Sequence, residues 1–288
     1  MIRILALLLL LALPALAHAA ELKLATWNLE WLTARPAGDP ALPPELTPRT
    51  ADDIALLAHY AADLDADVIA IQEVDGPKIA ARIFPPDHYA IHMTRDHVVQ
   101  RVGLAIRRGL DFTANPDLTT IDPPPLHLRS GADITLHLTT GPLRILAVHL
   151  KTGCRESPLT RTVRHACREL AAQVPPLAGW IRARQDEGVA FVVMGDFNRW
   201  MDPIGGHADQ LWSSLRAAAP LTRATAGVGS PCWGGERFID HIIAGGAATT
   251  WIEPDTLRVL VFRETTEEWQ RRLSDHCPVS VRFQLPTG

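Results

Sequence analysis

The sequence predicts an α/β fold in which two β-sheets pack face to face and helices cover their outer surfaces. Most apolar segments are short and rich in Val, Ile and Leu, which is typical of buried strands, and only a few show helical spacing. Long series of strands with few helices between them favour two packed sheets. The 288 residues are 47% apolar and 21% charged, an ordinary globular composition, and no linker or repeat divides them.

The strands are predicted from apolar runs that are bounded by Gly, Pro and polar residues. They cover residues 22–27, 68–73, 89–94, 102–107, 133–139, 143–150, 189–195, 237–243, 257–262 and 278–285. Thr140-Gly141-Pro142 separates two of these runs and predicts a hairpin-type connection. Residues 222–236 are Gly-rich and are expected to form a loop.

Helices are predicted where apolar residues recur three and four positions apart. The clearest is 50–64, where Thr50 suits an N-cap and the apolar stripe consists of Ile54, Leu57, Ala61 and Leu64. A helix or helix pair is expected over 159–185, and Pro175-Pro176 is expected to break or kink it. Shorter helices are expected between Pro77 and Pro85, and near 207–217.

Residues 1–19 are predicted to be a secretory signal peptide. Arg3 precedes the short apolar run Ile4–Leu13, and Ala17-His18-Ala19 has the small residues of a cleavage site. An uncleaved membrane anchor is the alternative, but the run is shorter than the roughly 18 residues that a spanning helix needs. The expected product is a single mature domain, residues 20–288, in the periplasm or the medium and without a transmembrane segment.

Export makes the four cysteines candidates for disulfide bonds, because such bonds persist in oxidising compartments. Three pairings are possible, and we favour Cys154–Cys167, which closes a short loop, together with Cys232–Cys277. The alternative is free buried thiols. A zinc site is not indicated, because the sequence has no pair of cysteines spaced as Cys-x2-Cys.

Polar residues stand at the ends of six predicted strands, which is where α/β enzymes place their chemistry. The motifs are Trp27-Asn28, Gln72-Glu73, His149-Leu150, Gly195-Asp196-Phe197-Asn198, Asp240-His241 and Ser274-Asp275-His276. Carboxylates, amides and imidazoles combined in this way suit metal-assisted hydrolysis of a phosphoester. The sequence therefore predicts a metal-dependent phosphoester hydrolase.

Glu73 is the first candidate metal ligand, and Asn28 and Asp275 are expected near it. A mostly oxygen ligand set favours Mg²⁺, with Mn²⁺ or Ca²⁺ possible, over Zn²⁺. Each residue also has an ordinary alternative. Glu73 could cap a helix or lie on the surface, and Asn28 could be a turn residue.

Asp196, Asn198, Asp240, His276 and His149 are the candidate catalytic residues. If the chain is extended after the strand, Asp196 and Asn198 project to one side, although an Asx turn is the alternative. Neighbouring strand residues point oppositely, so His276 is expected to pair with Asp240 rather than with the adjacent aspartate. Alone, His149 would more often be structural. The remaining histidines considered are expected to be structural or surface groups: His92, His97, His207 and His241.

Together, the six motifs resemble those of the endonuclease/exonuclease/phosphatase superfamily, in the same order, over residues 22–285. The resemblance implies a four-layer α/β sandwich of two mostly antiparallel sheets flanked by helices. It also implies that Glu73 binds the cation, that Asp196 orients or deprotonates water, that Asn198 holds phosphate and that His276 pairs with Asp240. His149 matches the strand-end histidine of the deoxyribonuclease and sphingomyelinase branches.

A further segment, Gln100-Arg101-Val102-Gly103, resembles the part of the family that carries another phosphate-contacting or histidine-orienting residue. Gln100 and Arg101 are therefore candidate substrate-phosphate contacts. AP endonucleases have a Tyr-x-Pro-Asn type motif where this chain has His149 and its neighbours. That difference, together with the signal peptide, counts against abasic-site repair.

The expected activity is that of an exported, monomeric nuclease that cleaves phosphodiesters by in-line attack of an activated water, with DNA the favoured substrate. The net charge of −4 is a counterweight, because nucleic-acid binders usually carry a basic face, although 95–108 and 161–168 are locally basic. An exported phosphatase or sphingomyelinase-like phospholipase is the alternative, and tryptophans could give it an apolar surface. Those are Trp31, Trp200, Trp212 and Trp233. A catalytically inactive binding module is the third predicted function, after these two.

Overall fold

The computed structural model describes residues 21–160 and 163–287, so the predicted signal peptide lies outside the described residues. The described chain forms two six-stranded sheets and a small two-stranded ribbon. The strands are β1 (Glu21–Leu32), β2 (Val68–Val74), β3 (Tyr89–Met93), β4 (Arg101–Arg107), β5 (Phe112–Ala114), β6 (Ala132–Leu138), β7 (Gly141–His149), β8 (Ala190–Asp196), β9 (Leu221–Arg223), β10 (Gly229–Ser230), β11 (Glu236–Arg237), β12 (Asp240–Gly245), β13 (Ile252–Val259) and β14 (Val279–Gln284).

Each large sheet has a parallel pair of strands at its centre and antiparallel strands on both sides. The first sheet has the order β13-β14-β1-β2-β4-β3, with β1 and β2 parallel, and the second has the order β5-β6-β7-β8-β12-β9, with β7 and β8 parallel. A parallel pair needs a crossover connection. Helix α1 (Ala51–Leu64) provides it in the first sheet and helix α3 (His165–Asp186) in the second.

The two sheets pack face to face, and the period of two along each strand divides its residues between two cores. Leu22 and Leu24 of β1 share the inter-sheet core with Val192 and Met194 of β8. The alternate residues face outward. Those of the first sheet pack with α1 and with α2 (Pro77–Ile83), and those of the second with α3 and with α4 (Gln210–Ala218). The predicted four-layer α/β sandwich is confirmed.

Helix α1 follows the sequence prediction closely. Thr50 is the N-cap, and it forms a capping box with Asp53 in which each side chain accepts from the other residue's backbone N–H. The predicted apolar stripe is buried against the first sheet: Ile54, Leu57, Ala61 and Leu64. Among the described residues, no helix is long and apolar enough to span a bilayer.

The prediction for residues 159–185 needs correction. The helix begins at His165, not near 159, and it continues through Pro175 and Pro176 to Asp186 without a break. Two interior prolines remove two backbone hydrogen bonds, at a cost of roughly 3 kcal/mol each. Burial on both sides of them, by Leu170, Val174, Leu177 and Trp180, holds the helix together against the second sheet.

Several strand bounds also differ from the prediction, because pairing decides them. The predicted strand 237–243 is β12, Asp240–Gly245, while Arg237 belongs to the ribbon β10–β11. The predicted strand 257–262 is β13, Ile252–Val259, which pairs with β14 through a register shift. A fifth helix, α5 (Glu267–Arg272), was not predicted and has no buried residue.

Both favoured cysteine pairs are present. Cys154 joins Cys167, which ties the segment after β7 to helix α3. Cys232 joins Cys277, which ties the Gly-rich loop to the segment before β14. Free cysteines are absent from the described chain.

Candidate active site

Strand geometry brings the predicted residues to one edge of the sandwich. β1, β2, β7 and β8 are the central strands, and the inward-facing rows of β1, β7 and β8 each end in a polar side chain. These inward positions hold Asn28 on β1, His149 on β7 and Asp196 on β8. Asp240 begins β12 directly opposite Asp196, on the same face. Alternation alone therefore aims four of the predicted groups into the gap between the sheets.

Glu73 reaches the same place by breaking the alternation. It shares parity with Ile69 and Ile71, which face outward against the helices. The register between β2 and β4 shifts after Ile71, and Glu73 adopts a left-handed φ of 60°. Its carboxylate then accepts hydrogen bonds from Asn28 Nδ2 at 3.1 Å and from the Trp31 backbone N–H at 3.1 Å.

Gly195 allows β7 and β8 to approach closely just before the site. Its φ is 149°, and a Cβ at this position would lie 2.0 Å from the Val148 carbonyl oxygen. Any other residue would push the two strands apart. The close approach continues into the next pair, in which His149 stands opposite Asp196.

Asp196 lies at the centre of the cluster. Its Oδ2 accepts from Asn28 Nδ2 at 3.1 Å and from Asn198 Nδ2 at 3.0 Å. Nε2 of His149 lies 3.5 Å from the same oxygen, and Nε2 of His276 lies 3.9 Å from it. Asn198 is not extended as predicted, because its φ is 52° and its backbone N–H turns back to Asp196 Oδ1 at 2.7 Å. The two side chains nevertheless meet, as in the Asx-turn alternative.

Burial gives the Asp196 carboxyl an unusual proton affinity. Desolvation raises its pKa to about 7, and the nearby Asp240 carboxylate also raises it, while His276 lowers it. A buried carboxylate of this kind can accept a proton near neutral pH. A bound cation would lower this pKa by favouring the charged form.

His276 and Asp240 form the predicted ion pair, with Nδ1 2.7 Å from Oδ2. Burial lowers the pKa of His276, but the Asp240 carboxylate outweighs it, so the pKa stands well above 6.5 and the ring is protonated at neutral pH. Asp275 comes within 3.7 Å of the His276 ring, because these residues form a bend and not a strand. The expectation that Asp275 and His276 point oppositely is therefore wrong.

His149 has the opposite character. Its ring is buried, and its Nδ1 has no hydrogen-bond partner among the described residues. Burial lowers its pKa well below 6.5, with Arg129 and His276 acting in the same direction. The cluster thus combines one neutral imidazole with one imidazolium.

Two residues that sequence reasoning missed belong to this surface. Glu30, with a φ of 43°, accepts from the Asp275 backbone N–H at 2.8 Å, and its pKa is raised to about 7 by burial and by Asp275. Arg129 donates to Gln100 Oε1 at 2.7 Å. The position of Glu30, two residues after Asn28 at a strand end, was a usable signal. No motif surrounds Arg129.

Gln100 lies in the cluster, where its Nε2 donates to Glu73, and its contact with a substrate phosphate stays a prediction. Arg101 does not reach the cluster. It donates to the Asp75 carbonyl at 3.0 Å instead. His241 fits a structural role: it is buried, Thr225 and the Arg199 carbonyl hold its ring, and burial lowers its pKa to about 3.

The donor set fits a hard divalent cation. Glu73 accepts from Asn28, Glu30 lies close enough to Asp275 and Glu73 to feel their charges, and the buried Asp240 Oδ1 has no partner among the described residues. Asp196, Asp240 and His276 also bring three potential ligand atoms within 4.8 Å of one another. A protonated imidazole has no free lone pair, so His276 would have to release its proton to bind a cation in this group.

A sequence model of the Endonuclease/Exonuclease/phosphatase family matches residues 25–276. The chain belongs to this family. Among curated proteins, none matches the sequence. The family match covers all six strand-end motifs and agrees with the resemblance that they carry.

Solved structures with the same fold include nucleic-acid enzymes. Truncated Caenorhabditis elegans TDP2 superposes with a TM-score of 0.61 at 15% identity, over 92% of this chain and 98% of that one. The 3′-5′ exonuclease NExo from Neisseria meningitidis gives 0.61 at 16%, over 91% and 100%. A Neisseria NExo bound to product DNA hairpin, described as a 3′ phosphatase, gives 0.58 at 18%, over 91% and 99%. At these identities the likeness establishes the fold.

Proposed function

We propose that the chain is an exported, monomeric, divalent-metal-dependent nuclease that cleaves phosphodiesters by in-line attack of an activated water. The observation that supports this most is that amide and imidazole nitrogens from four side chains converge on one carboxylate. Asp196 Oδ2 lies within 3.1 Å of two amide nitrogens and within 3.9 Å of two imidazole nitrogens, one ring neutral and one protonated. This arrangement provides a proton acceptor and a source of positive charge at one place.

Glu73, Asn28 and Asp275 are proposed to hold the cation, with Glu30 beside them. When bound, Mg²⁺, Mn²⁺ or Ca²⁺ supplies positive charge that offsets the charge developing on the phosphoryl oxygens. Glu73 is fixed for this role by Asn28, Gln100 and the Trp31 backbone. These contacts limit its rotamers before a cation arrives.

Asp196 is proposed to take the proton of the attacking water, since its pKa is about 7 before a cation is present. The His276 imidazolium, held by Asp240, stabilises negative charge on the phosphoryl or leaving oxygen. His149 supports the same phosphate from the other strand. Asn198 donates both amide hydrogens, to Asp196 and to the Leu150 carbonyl, so holding a phosphoryl oxygen requires it to release one of them.

DNA is the proposed substrate, because related folds act on it. Besides the Neisseria protein bound to product DNA, Danio rerio TDP2 was solved with a single-strand DNA product. Removal of a terminal phosphate is the second candidate, since one of these neighbours is a 3′ phosphatase. A lipid substrate has less support. Among the described residues, the exposed large apolar side chains are three valines: Val163, Val228 and Val261.

Export is proposed on two grounds. The N-terminal residues have the pattern of a signal peptide. Two disulfides, Cys154–Cys167 and Cys232–Cys277, also suit an oxidising compartment, because cytosolic thiols are kept reduced.

The test is hydrolysis of plasmid DNA by residues 20–288 with Mg²⁺, Mn²⁺ or Ca²⁺, alone and with EDTA. Asp196→Asn preserves the shape of the side chain but removes its basicity, so we expect turnover to fall at least about 10²-fold. Asp87→Asn, an exposed aspartate, is the matched control and should cleave normally. Cleavage that survives EDTA or the Asp196 substitution would contradict the proposal.

A further inference from the structure

The peptide group between Glu30 and Trp31 lies in a bulge at the end of β1, beside Glu73. The pairing of β1 with β2 shifts between Asn28 and Leu32. Glu30 and Trp31 lie within this shift and adopt left-handed φ angles of 43° and 53°. In this conformation the Trp31 backbone N–H donates to Glu73 Oε2 at 3.1 Å. The orientation of one peptide group therefore helps to fix the carboxylate that is the first candidate metal ligand.

The carbonyl end of the same peptide group is bound by Arg49, which lies just before α1. Nη1 of Arg49 donates to the Glu30 carbonyl oxygen at 2.7 Å. The peptide group is thus bound at both ends, with its C=O on a guanidinium and its N–H on a carboxylate. A rotation of the peptide by half a turn would break both hydrogen bonds. It would also turn the carbonyl oxygen towards the Glu73 carboxylate, and two acceptors cannot share a hydrogen bond.

The other nitrogens of Arg49 bind the segment at the end of α5. Nε donates to the carbonyl oxygens of Arg272 and Leu273 at 3.0 and 3.1 Å, and Nη2 donates to that of Leu273 at 2.6 Å. Ser274, the next residue, connects the same two segments, since its hydroxyl donates to the Asn28 carbonyl at 2.7 Å. All four hydrogen bonds of Arg49 described here end on backbone carbonyl oxygens, so this side chain fixes the course of the backbone on both segments.

The charge of Arg49 and its hydrogen bonds should have opposite effects on cation binding. Burial lowers the pKa of Arg49 from its ordinary value, and the charges of Glu30, Asp53, Glu73 and Asp275 oppose this effect only in part. A guanidinium nevertheless stays protonated at neutral pH. Its positive charge repels a cation bound at Glu73. Repulsion alone would therefore weaken cation binding, whereas the positioning of Glu73 would strengthen it.

We propose that Arg49 is a positioning residue for the cation site, because it holds the Glu30–Trp31 peptide group in the orientation that presents the Trp31 N–H to Glu73. The inference rests on the proposed cation site at Glu73 and adds a residue that acts on this ligand through the backbone. A donor that fixes a ligand limits the conformations that the ligand samples before a cation arrives. Loss of such a supporting contact typically weakens metal binding by about 10- to 100-fold.

The test is calorimetric titration of Mg²⁺ into residues 20–288 and into two Arg49 variants. Arg49→Gln removes the charge and most of the donors, whereas Arg49→Lys keeps the charge but replaces the planar fork by one ammonium group. We expect both changes to raise the Mg²⁺ Kd by about 10- to 100-fold. Arg258→Lys is the matched control, because the exposed Arg258 also donates to two backbone carbonyls, those of Asp255 and Leu257, and it should leave the Kd unchanged.

Plasmid cleavage at increasing Mg²⁺ separates positioning from a general structural role. For both Arg49 variants, the Mg²⁺ concentration at half-maximal rate should rise with the Kd, and the rate at saturating Mg²⁺ should approach that of the unmodified protein. The double variant Arg49→Lys/Glu73→Gln should bind Mg²⁺ no more weakly than Glu73→Gln alone, because Arg49 acts through Glu73. Thermal unfolding in EDTA checks that each variant folds, and Arg49→Lys decides the question if Arg49→Gln does not fold.

A Kd for Arg49→Gln that equals or lies below that of the unmodified protein would overturn the inference, since repulsion alone predicts the lower value. Additive effects in the double variant would overturn it as well. If the unmodified protein binds Mg²⁺ and Glu73→Gln weakens this binding, unchanged Kd values for the Arg49 variants refute the positioning role alone. If the unmodified protein neither binds Mg²⁺ nor cleaves DNA with any of the cations, the proposed function fails and the inference fails with it.

Discussion

Asp196 and His276 face each other across 3.9 Å, and their surroundings shift their proton affinities in a useful way. Burial raises the pKa of Asp196 to about 7. Burial works against the His276 imidazolium, but the Asp240 ion pair more than compensates and sets its pKa well above 6.5. A carboxylate that can take a proton therefore stands beside an imidazole that already holds one. This is the division of roles that hydrolysis of a phosphodiester needs.

The pH dependence of activity should reveal the role of Asp240. The His276 pKa is raised, so the imidazolium is fully present below 6.5 and is lost as the pH rises through the raised value. Asp240→Asn removes the opposite charge, so we expect the alkaline limb of the kcat/KM profile to move to lower pH by at least about one unit. A pH–rate profile measures this. An unchanged limb with a uniformly lower rate would mean that Asp240 acts only structurally.

At the level of single residues, the sequence predicted what strict alternation can predict. Asn28, His149, Asp196 and Asp240 are inward positions at the ends of apolar strands, and the structure brings them together. Alternation would send Glu73 outward. Only the register shift after Ile71 redirects it, and such a bulge leaves no clear trace in one sequence.

Arg129 was beyond prediction for a different reason. It precedes strand β6 in an irregular segment, and it reaches the site only because that segment packs beside Gln100. Tertiary contacts of loops are not encoded in a local period. Its position beside the site therefore follows only from tertiary packing.

Among the secondary-structure elements, the strands of the sandwich core were the easiest to predict and the helix ends the hardest. Strand β8 matches the prediction to within one residue at each end, because a buried central strand is a continuous apolar run. Helix α3 shows the limit. Proline rules favour a break at Pro175, but burial against the second sheet outweighs that local preference.

The two disulfides should differ in their effect on stability, because they close loops of different length. Cys232 and Cys277 are 45 residues apart, whereas Cys154 and Cys167 are 13 apart. By the chain-entropy estimate, removing the disulfide that closes the longer loop lowers the free energy of unfolding by about 4 kcal/mol. Removing the disulfide that closes the shorter loop lowers it by about 3 kcal/mol. Denaturant unfolding of the two double Cys→Ala variants measures both values. A larger loss for the Cys154–Cys167 pair would contradict this expectation.

Over the whole molecule, two sheets of the same design meet with the ends of their parallel strands on one side. That design was predictable in outline from the series of strands and helices and from the order of the six motifs. The order of the strands within each sheet was not predictable, because long connections bring β14 and β12 to their places. The site depends on those connections, since β12 brings Asp240 and the segment before β14 brings His276.

Cation binding should stabilise the whole domain. Glu73 and Asp196 accept from the same Asn28 amide, and Glu30 lies near Glu73 and Asp275, so carboxyl groups crowd together here and a cation bound to the folded state alone relieves their repulsion. At about 100 times its Kd, Mg²⁺ should add about 2.7 kcal/mol to the free energy of unfolding.

Thermal unfolding with Mg²⁺ and with EDTA tests this stabilisation. Glu73→Gln should reduce the Mg²⁺-dependent rise in Tm, whereas Glu156→Gln, an exposed control, should not. A Tm that does not respond to Mg²⁺ in the unmodified protein would argue against a cation site at Glu73.

The pairing of β1 with β14 places Glu21, at the start of the domain, opposite Gln284, near its end. A chain synthesised from its N-terminus therefore carries Asn28 and Glu73 for almost the whole of translation before its last strand and His276 exist. The site is therefore complete only after the segment that carries His276 has been synthesised and has folded against Asp240.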